Sequence, residues 1–250
     1  MDLYDRGSIV FFGDSLIANG RDENSVAKKL SEITNETVFN AAFGGTGMAY
    51  TRSDERIAYT KDSYNLIGLS QSILTGDYRV QKNARIMEAG TAYFGTVIFW
   101  MEYMDFLKAD IILIEQALND YQSGVPVENP EDPFDMSSYA GAMRVVVDRL
   151  RRIKPDYRII LVTPTYTWYP HLGLTCEDYV IEGQILEDFI EKQEELSREL
   201  GVEFIDLYHD FYIHEKADDW MRYTVDGVHP SEEARELIAR RIAEYLEEQE

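Results

Sequence analysis

The chain has 250 residues, and its hydrophobic content of 45% is enough to bury the core of one large α/β domain. It carries 46 acidic and 24 basic residues, and the resulting net charge of −22 repels nucleic-acid phosphates and anionic membrane surfaces. We therefore exclude nucleic acid as a partner, and the most apolar stretch falls far short of the roughly 20 residues of a membrane span.

The cysteine content bears on the cellular compartment. Cys176 is the only cysteine, so the chain forms no intrachain disulfide, and no cysteine–histidine cluster has the spacing of zinc ligands. Residues 1–7 lead directly into the first predicted strand without the pattern of a secretory signal. We therefore expect a cytoplasmic protein without a bound metal.

Short β-branched segments alternate with segments whose apolar residues follow helical spacing. In chain order, the pattern predicts strands over 8–12, 37–41, 110–115, 158–163 and 203–206, with helices over 25–34, 137–153, 181–200 and 231–248. This alternation predicts a single α/β domain over residues 1–250, in which helices cover both faces of a parallel sheet. Ligands of such sheets bind at the carboxyl edge, where the strands end.

The sequence Gly13-Asp14-Ser15-Leu16 follows the first predicted strand. Ser15 therefore lies at the carboxyl edge, where a nucleophile is usually placed. We expect Asp14 to organise the turn by accepting hydrogen bonds from backbone N–H groups. An alternative is that Ser15 only caps the next helix, and the motif alone leaves both interpretations open.

A glycine-rich stretch, NAAFGGTG at 40–47, follows the second predicted strand. Its glycines permit unusual backbone angles and a close approach of the backbone to a ligand. The stretch lacks the G-x-G-x-x-G spacing of a dinucleotide-binding loop and leads into no clear helix, so it does not indicate a nucleotide cofactor.

Residues 48 to about 108 are the least regular part of the chain and contain many scattered aromatic residues. The segment is long for a connection between neighbouring strands. We interpret it as an inserted, mostly helical cap over the carboxyl edge of the sheet. The alternative is that its aromatic side chains pack against the body of the domain or a second subunit, which leaves a homo-oligomer open.

The sequence DGVHPS near the C-terminus places Asp226 three residues before His229. In a tight loop this spacing lets the carboxylate hold the imidazole, although a His-Pro before a helix is often structural. Together with Ser15, the pair predicts a nucleophile, a base and an orienting acid, because a serine hydroxyl needs a base at neutral pH. Asn119, after the third strand, reaches the same edge and offers a donor for a developing oxyanion.

In four separated blocks the chain resembles the SGNH, or GDSL, hydrolases, and the match runs almost end to end. The blocks are FFGDSL with Ser15, NAAFGGTG with Gly45, ALND with Asn119, and DGVHP with Asp226 and His229. The resemblance implies Ser15, Asp226 and His229 as a catalytic triad, and Ser15, Gly45 and Asn119 as an oxyanion hole. It also implies a flavodoxin-like three-layer αβα sandwich with strand order 2-1-3-4-5, and ester hydrolysis without a metal or organic cofactor.

The resemblance leaves the substrate open. We expect a serine esterase that removes a short acyl group, such as acetate, from a carbohydrate or another small ester. The alternatives are a lysophospholipase or thioesterase with a longer acyl chain, and a non-catalytic binding protein on the same fold. Tyr166 and Trp168 follow the fourth strand and are candidate substrate-binding residues, with core packing as an equal alternative. We expect His171, His209 and His214 to be surface or structural residues rather than metal ligands.

Overall fold

The structure is a computed structural model that describes residues 8–21, 24–51, 60–84 and 90–248. Its strands are β1 (Ser8–Phe12), β2 (Val38–Asn40), β3 (Ala109–Glu115), β4 (Arg158–Val162), β5 (Trp168–Tyr169), β6 (Leu174–Thr175) and β7 (Glu203–Ile205). Five of them form a parallel sheet in the order β2-β1-β3-β4-β7, and β5 and β6 form a separate antiparallel hairpin.

Helices surround the sheet, and none within the described part of the chain is long and apolar enough to cross a membrane. Two short 3₁₀ helices span Thr60–Ser63 and Phe106–Lys108. The α-helices are α1 (Ser15–Ala18), α2 (Val26–Thr34), α3 (Leu66–Thr75), α4 (Arg79–Asn83), α5 (Phe94–Tyr103), α6 (Leu118–Gln122), α7 (Tyr139–Ile153), α8 (Leu186–Leu200), α9 (Trp220–Tyr223) and α10 (Glu232–Glu248).

The alternating side chains of β1 pack into the two opposite helical layers. Ile9 and Phe11 belong to a cluster with residues of α2 and α10. Val10 and Phe12 belong to a second cluster with residues of α3, α5, α7 and α8. All four side chains are buried, as expected for a parallel strand that is covered on both faces. The predicted three-layer αβα fold and its strand order are confirmed, with β7 as the fifth strand.

The segment interpreted as a cap contributes α3, α4 and α5 in its described part. Residues 52–59 and 85–89 of this segment lie outside the described residues. α3 packs against α7, and the Arg149 guanidinium of α7 donates to the carbonyl oxygen of Ile67 at 2.6 Å. The segment is therefore attached to the body of the domain through α3.

One predicted helix begins five residues later than its apolar spacing indicates. The pattern starts at residue 181, whereas α8 starts at Leu186. Glu182 and Gly183 lie between these points with φ angles of 49° and 80°. Such left-handed backbone conformations are incompatible with a right-handed helix, so the chain turns first and becomes helical afterwards.

Candidate active site

β1 delivers Ser15 to the carboxyl edge of the sheet, where α1 begins. Asp14 is the N-cap of this helix, because its Oδ1 accepts the N–H of Leu16 at 2.8 Å. Ser15 is therefore the first helical residue and not the cap, so its hydroxyl is available for another partner. Oγ of Ser15 lies 3.0 Å from Nε2 of His229, which is 214 positions away in the sequence.

A tight loop before α10 holds the His229 ring. Oδ1 of Asp226 accepts the N–H groups of Val228 and His229 at 3.0 and 2.8 Å, while Oδ2 lies 2.7 Å from Nδ1 of His229. Gly227 permits this loop, since its φ is 99° and a Cβ there would lie 2.5 Å from the carbonyl oxygen of Trp168. Both imidazole nitrogens are thus engaged, one by a carboxylate and the other by a serine hydroxyl.

The electrostatics of the loop keep the Asp226 carboxyl ionised. Partial burial by itself raises its pKa, but hydrogen bonds from the backbone and ring of His229 and from the Val228 N–H outweigh burial and lower the pKa overall. An ionised carboxylate stabilises a proton on Nδ1, which leaves the lone pair of Nε2 directed at Ser15. This arrangement can remove the hydroxyl proton of Ser15.

Three hydrogen-bond donors line the same cleft as the Ser15 hydroxyl. Within the described residues, the backbone N–H groups of Ser15 and Gly45 are not bonded to any protein acceptor. Asn119 donates one Nδ2 proton to Oδ2 of Asp14 at 2.7 Å, which fixes the amide and leaves its second Nδ2 proton for the cleft. Donors of this kind can stabilise negative charge on an oxygen held beside Ser15.

The Asp14 carboxyl lies against a second buried carboxyl from the end of β3. Asp14 and Glu115 are 0% and 1% exposed, and the Asp14 N–H donates to Oε2 of Glu115 at 3.3 Å. Burial raises the pKa of both groups, that of Asp14 to about 6, and the Asp14 charge raises the pKa of Glu115 further, well above its ordinary value. Glu115 therefore binds a proton more readily than an ordinary glutamate, and Asn119 donates its hydrogen bond to the neighbouring Asp14 carboxyl.

A third buried carboxyl, that of Asp120, anchors the end of the glycine-rich loop. It accepts the N–H groups of Met48 and Ala49 at 2.7 and 2.9 Å. Burial raises its pKa to about 7, although the two backbone bonds act in the opposite direction. A Cβ on Gly47 would lie 2.7 Å from Oδ2 of Asp120, so this close approach requires glycine.

We expect Glu115→Gln to change the pH dependence of stability. A glutamine amide has the shape of a protonated carboxyl, and its oxygen can accept the Asp14 N–H as Oε2 of Glu115 does. Because the folded pKa of Glu115 is raised, its contribution to stability is present below the unfolded pKa and is lost as the pH rises toward the folded pKa. Above about pH 4.3, the wild type should lose up to about 1.4 kcal/mol of unfolding free energy per pH unit relative to the variant.

Urea unfolding at several pH values between about 4 and 8 measures this difference. Glu191→Gln, at an exposed position of α8, is the control because it makes the same substitution where the side chain is not buried. If the free energy of unfolding depends on pH in the same way for the wild type and for Glu115→Gln, Glu115 does not retain its proton on folding.

The Ser15 hydroxyl opens into a cleft of about 740 Å³ whose walls are aromatic and polar. Among its described lining residues, only Leu118 and Val228 are aliphatic. The apolar part of the lining is therefore mostly aromatic. The aromatic lining residues are Tyr93, Phe94, Trp168 and Tyr169, and the polar ones beside the donors and His229 include Asn19, Thr91, Gln122 and His171.

The two aromatic residues predicted to bind substrate occupy different places. Trp168 lines the cleft and Tyr166 does not, although each side chain is only 2% exposed. The ring of Tyr166 stacks on that of His214 with centroids 4.0 Å apart and packs edge-on against Trp168 at 4.8 Å. The structure thus places Tyr166 outside the described lining of the cleft, next to Trp168.

The three histidines other than His229 lie in three different places. His171 lines the cleft, His214 stacks in the core, and Nδ1 of His209 lies 2.8 Å from Oδ2 of Asp206 outside the cleft. Across the residues that the structure describes, no group of three or more His, Cys, Asp or Glu side chains is arranged to hold a metal ion.

Sequence reasoning missed two contributors to the site. Glu115 follows the four apolar residues 111–114 of β3, and an acidic residue at the end of such a run in a strand predicted to be buried was an available signal. Tyr93 lies in the irregular segment 48–108, where no periodic pattern distinguishes a cleft residue from a core residue. Asp14 was predicted to bind backbone donors, and it does, but its bond to Asn119 was not anticipated.

Comparison with known proteins gives a family match and several similar folds. The family model described as GDSL-like Lipase/Acylhydrolase matches residues 11–237, and no curated relative matches the chain by sequence. A possible lipase from Chitinophaga pinensis DSM 2588 is 17% identical, with a TM-score of 0.65 over 98% of this chain and 99% of that chain.

Two further solved structures are described as carbohydrate esterases. A carbohydrate acetylesterase family member from Sinorhizobium meliloti is 15% identical, with a TM-score of 0.54 over 97% of this chain and 98% of that chain. A family two carbohydrate esterase from Clostridium thermocellum, in complex with cellohexaose, is 14% identical, with a TM-score of 0.60 over 98% of this chain and 64% of that chain. At these identities the likeness shows the fold.

Proposed function

This chain belongs to the GDSL-like lipase/acylhydrolase family, and we propose that it is a serine esterase that cleaves carboxylic esters through an acyl-enzyme on Ser15. The observation that carries the proposal is the hydrogen-bonded series of three side chains in the cleft. Oγ of Ser15 lies 3.0 Å from Nε2 of His229, and Nδ1 of His229 lies 2.7 Å from Oδ2 of Asp226.

In the first half of the reaction, Oγ of Ser15 bonds to the acyl carbon while its proton passes to Nε2 of His229. The carbonyl oxygen becomes an oxyanion, which the N–H groups of Ser15 and Gly45 and the free Nδ2 proton of Asn119 stabilise. When the carbon–oxygen bond to the alcohol breaks, the imidazolium returns the proton to the leaving oxygen. The alcohol departs and the acyl group remains on Ser15.

In the second half, a water molecule attacks the acyl carbon and gives a proton to Nε2 of His229. The same donors hold the second oxyanion, and the proton then returns to Oγ of Ser15 as the carboxylic acid leaves. Asp226 stays ionised throughout, since its hydrogen bonds hold its pKa below the ordinary value, and it stabilises the imidazolium in both halves.

For the substrate we propose an acetyl or other short acyl group on a carbohydrate or another small molecule. A long acyl chain needs an extended apolar surface, whereas the described cleft lining combines two aliphatic side chains, Leu118 and Val228, and four aromatic ones with many glycines and polar residues. The two similar structures described as carbohydrate esterases support a carbohydrate as the alcohol.

We further propose that residues 1–250 form one domain in which the segment 48–108 caps the cleft. Tyr93 and Phe94 of this segment line the cleft, which supports the proposal.

The single cysteine, Cys176, is buried and unpaired, which fits the reducing cytoplasm.

A series of aryl esters from acetyl to dodecanoyl, assayed beside acetylated sugars, tests the substrate proposal. We expect kcat/KM to be highest for the acetyl ester and to fall by about tenfold or more by the octanoyl ester, because an added chain finds few apolar contacts. A maximum at a long acyl chain would instead support the lysophospholipase or thioesterase alternative.

Covalent labelling separates an enzyme from a binding protein on the same fold. Attack of Oγ of Ser15 on a fluorophosphonate displaces fluoride and leaves a phosphonylated serine, which mass spectrometry of peptides locates. A protein that is neither labelled nor active on any ester of the series would be a non-catalytic binding protein.

A further inference from the structure

Tyr93, at the N-cap position of α5, contacts the glycine-rich loop beside Ser15. Its hydroxyl oxygen accepts the N–H of Gly44 at 2.7 Å. A Cβ on Gly44 would lie 3.3 Å from that oxygen and 3.6 Å from Cβ of Ser15. The phenol and the proposed nucleophile therefore flank the same glycine, and both line the cleft.

The Tyr93 ring is held by its neighbours. The guanidinium carbon of Arg21 lies 4.2 Å from the ring centroid, and Arg21 is itself anchored to two carbonyl oxygens of the glycine-rich stretch. The rings of Phe43 and Phe94 lie 6.5 and 4.9 Å from that of Tyr93, measured between centroids. The phenol is thus preorganised, which reduces the entropy lost when its hydroxyl binds a ligand.

The Tyr93 hydroxyl has hydrogen-bonding capacity left over. A phenol accepts hydrogen bonds and also has one proton to donate, and within the described residues no protein acceptor takes that proton. The group belongs to neither the triad nor the proposed oxyanion donors, because its partner is Gly44 and the donor of the loop is Gly45. The proton is therefore available to a ligand in the cleft.

We propose that Tyr93 is a specificity residue whose hydroxyl donates a hydrogen bond to a hydroxyl oxygen of the alcohol part of the bound ester, so that it favours sugar esters over esters of simple alcohols. This rests on the proposed function and adds to it the residue that recognises the alcohol. Sugars are bound by flat aromatic surfaces together with fixed polar groups. Trp168 and Tyr169 line this cleft with 2% and 5% of their surface exposed, and the Gln122 amide is fixed by a 3.2 Å bond to the Tyr169 hydroxyl.

The test compares substrates that differ only in their hydroxyl groups. The monoacetates of methyl glucopyranoside are paired with cyclohexyl and cyclohexylmethyl acetates, which have the same ring size without hydroxyls. Tyr93→Phe should lower the ratio of kcat/KM for the sugar acetate to kcat/KM for its cyclohexyl partner by about tenfold, the usual worth of one hydrogen bond. Tyr103→Phe, at an exposed position of α5 outside the cleft, is the matched control and should leave the ratio unchanged.

Binding provides a second measurement that does not depend on turnover. In a Ser15→Ala background, calorimetric titration with the same glucoside acetates should show about tenfold weaker binding when Tyr93→Phe is added. If the wild type hydrolyses no ester but this difference in affinity is observed, the esterase proposal fails while the assignment of Tyr93 stands.

Several results would overturn the assignment of Tyr93. If Tyr93→Phe lowered kcat/KM equally for sugar and cyclohexyl acetates, Tyr93 would act only on the glycine-rich loop through Gly44. An unchanged ratio would mean that the phenol does not contact the alcohol. Failure of the Ser15→Ala protein to bind any glucoside acetate would exclude sugars as its ligands.

Discussion

Ser15→Ala is expected to abolish ester hydrolysis, lowering kcat by about 10³-fold or more, because it removes the atom that we propose forms the acyl-enzyme. The fold should be preserved. The cap of α1 is the Asp14 carboxylate, and the Ser15 hydroxyl bonds to His229 alone among the described residues. The substitution therefore removes one reactive oxygen and leaves the local hydrogen bonds of the turn in place.

Steady-state assays on the best ester of the series measure the loss, and thermal unfolding of the variant checks that the protein is folded. The phosphonate adduct should also disappear, since its attachment site is gone. A folded Ser15→Ala protein with near-normal turnover would rule out the serine esterase mechanism and leave the hydrolysis to another group in the cleft.

The sheet was predictable because its central strands are apolar on both faces. In β1, Ile9 and Phe11 pack into one helical layer and Val10 and Phe12 into the other, so the strand is a continuous apolar run. The hairpin of β5 and β6 was not predictable in the same way. Its two-residue strands depend on contacts distant in sequence, such as the 2.8 Å bond from the Trp168 N–H to the carbonyl oxygen of Gly227.

In the candidate site, too, contacts between residues close in sequence were predictable, and contacts between distant residues were not. The Asp226–His229 pair follows from three-residue spacing in a tight loop, which the sequence displays directly. The bond from Asn119 to Asp14 joins residues 105 positions apart, and it exists because β1 and β3 are neighbours in the sheet. Tyr93 belongs to an irregular segment, so only the folded structure shows that its hydroxyl reaches the glycine-rich loop.

A second aspartate–histidine pair shows how little the spacing decides by itself. Oδ1 of Asp206 accepts the N–H of His209 at 3.0 Å, and Oδ2 lies 2.8 Å from Nδ1, which repeats the local geometry of Asp226 and His229. Nε2 of His209, however, lies 3.5 Å from Oε1 of Glu187 instead of a serine hydroxyl. The two pairs differ in the group that faces Nε2, which is a serine hydroxyl for His229 and a carboxylate for His209. The tertiary fold determines which group lies there.

Asp226→Asn should lower kcat by roughly 10⁴-fold, and raising the pH should not restore it. Oδ1 of Asp226 accepts two backbone N–H groups, so an asparagine must keep its oxygen there and present its NH₂ to Nδ1 of His229. Nδ1 then has to accept a hydrogen bond, which moves the ring proton to Nε2, where it blocks removal of the Ser15 proton. Alkaline pH neutralises an imidazolium but does not reverse this tautomer.

The pH profile of kcat, measured for the wild type and the variant, tests this argument. In the wild type, Asp226 should not limit activity on the acid side, because its lowered pKa keeps the carboxylate ionised over that range. Asp206→Asn is the matched control, because it changes the same local geometry outside the cleft and should leave the profile unchanged. Wild-type activity of Asp226→Asn across the whole profile would mean that His229 acts without this carboxylate or is paired with another acid.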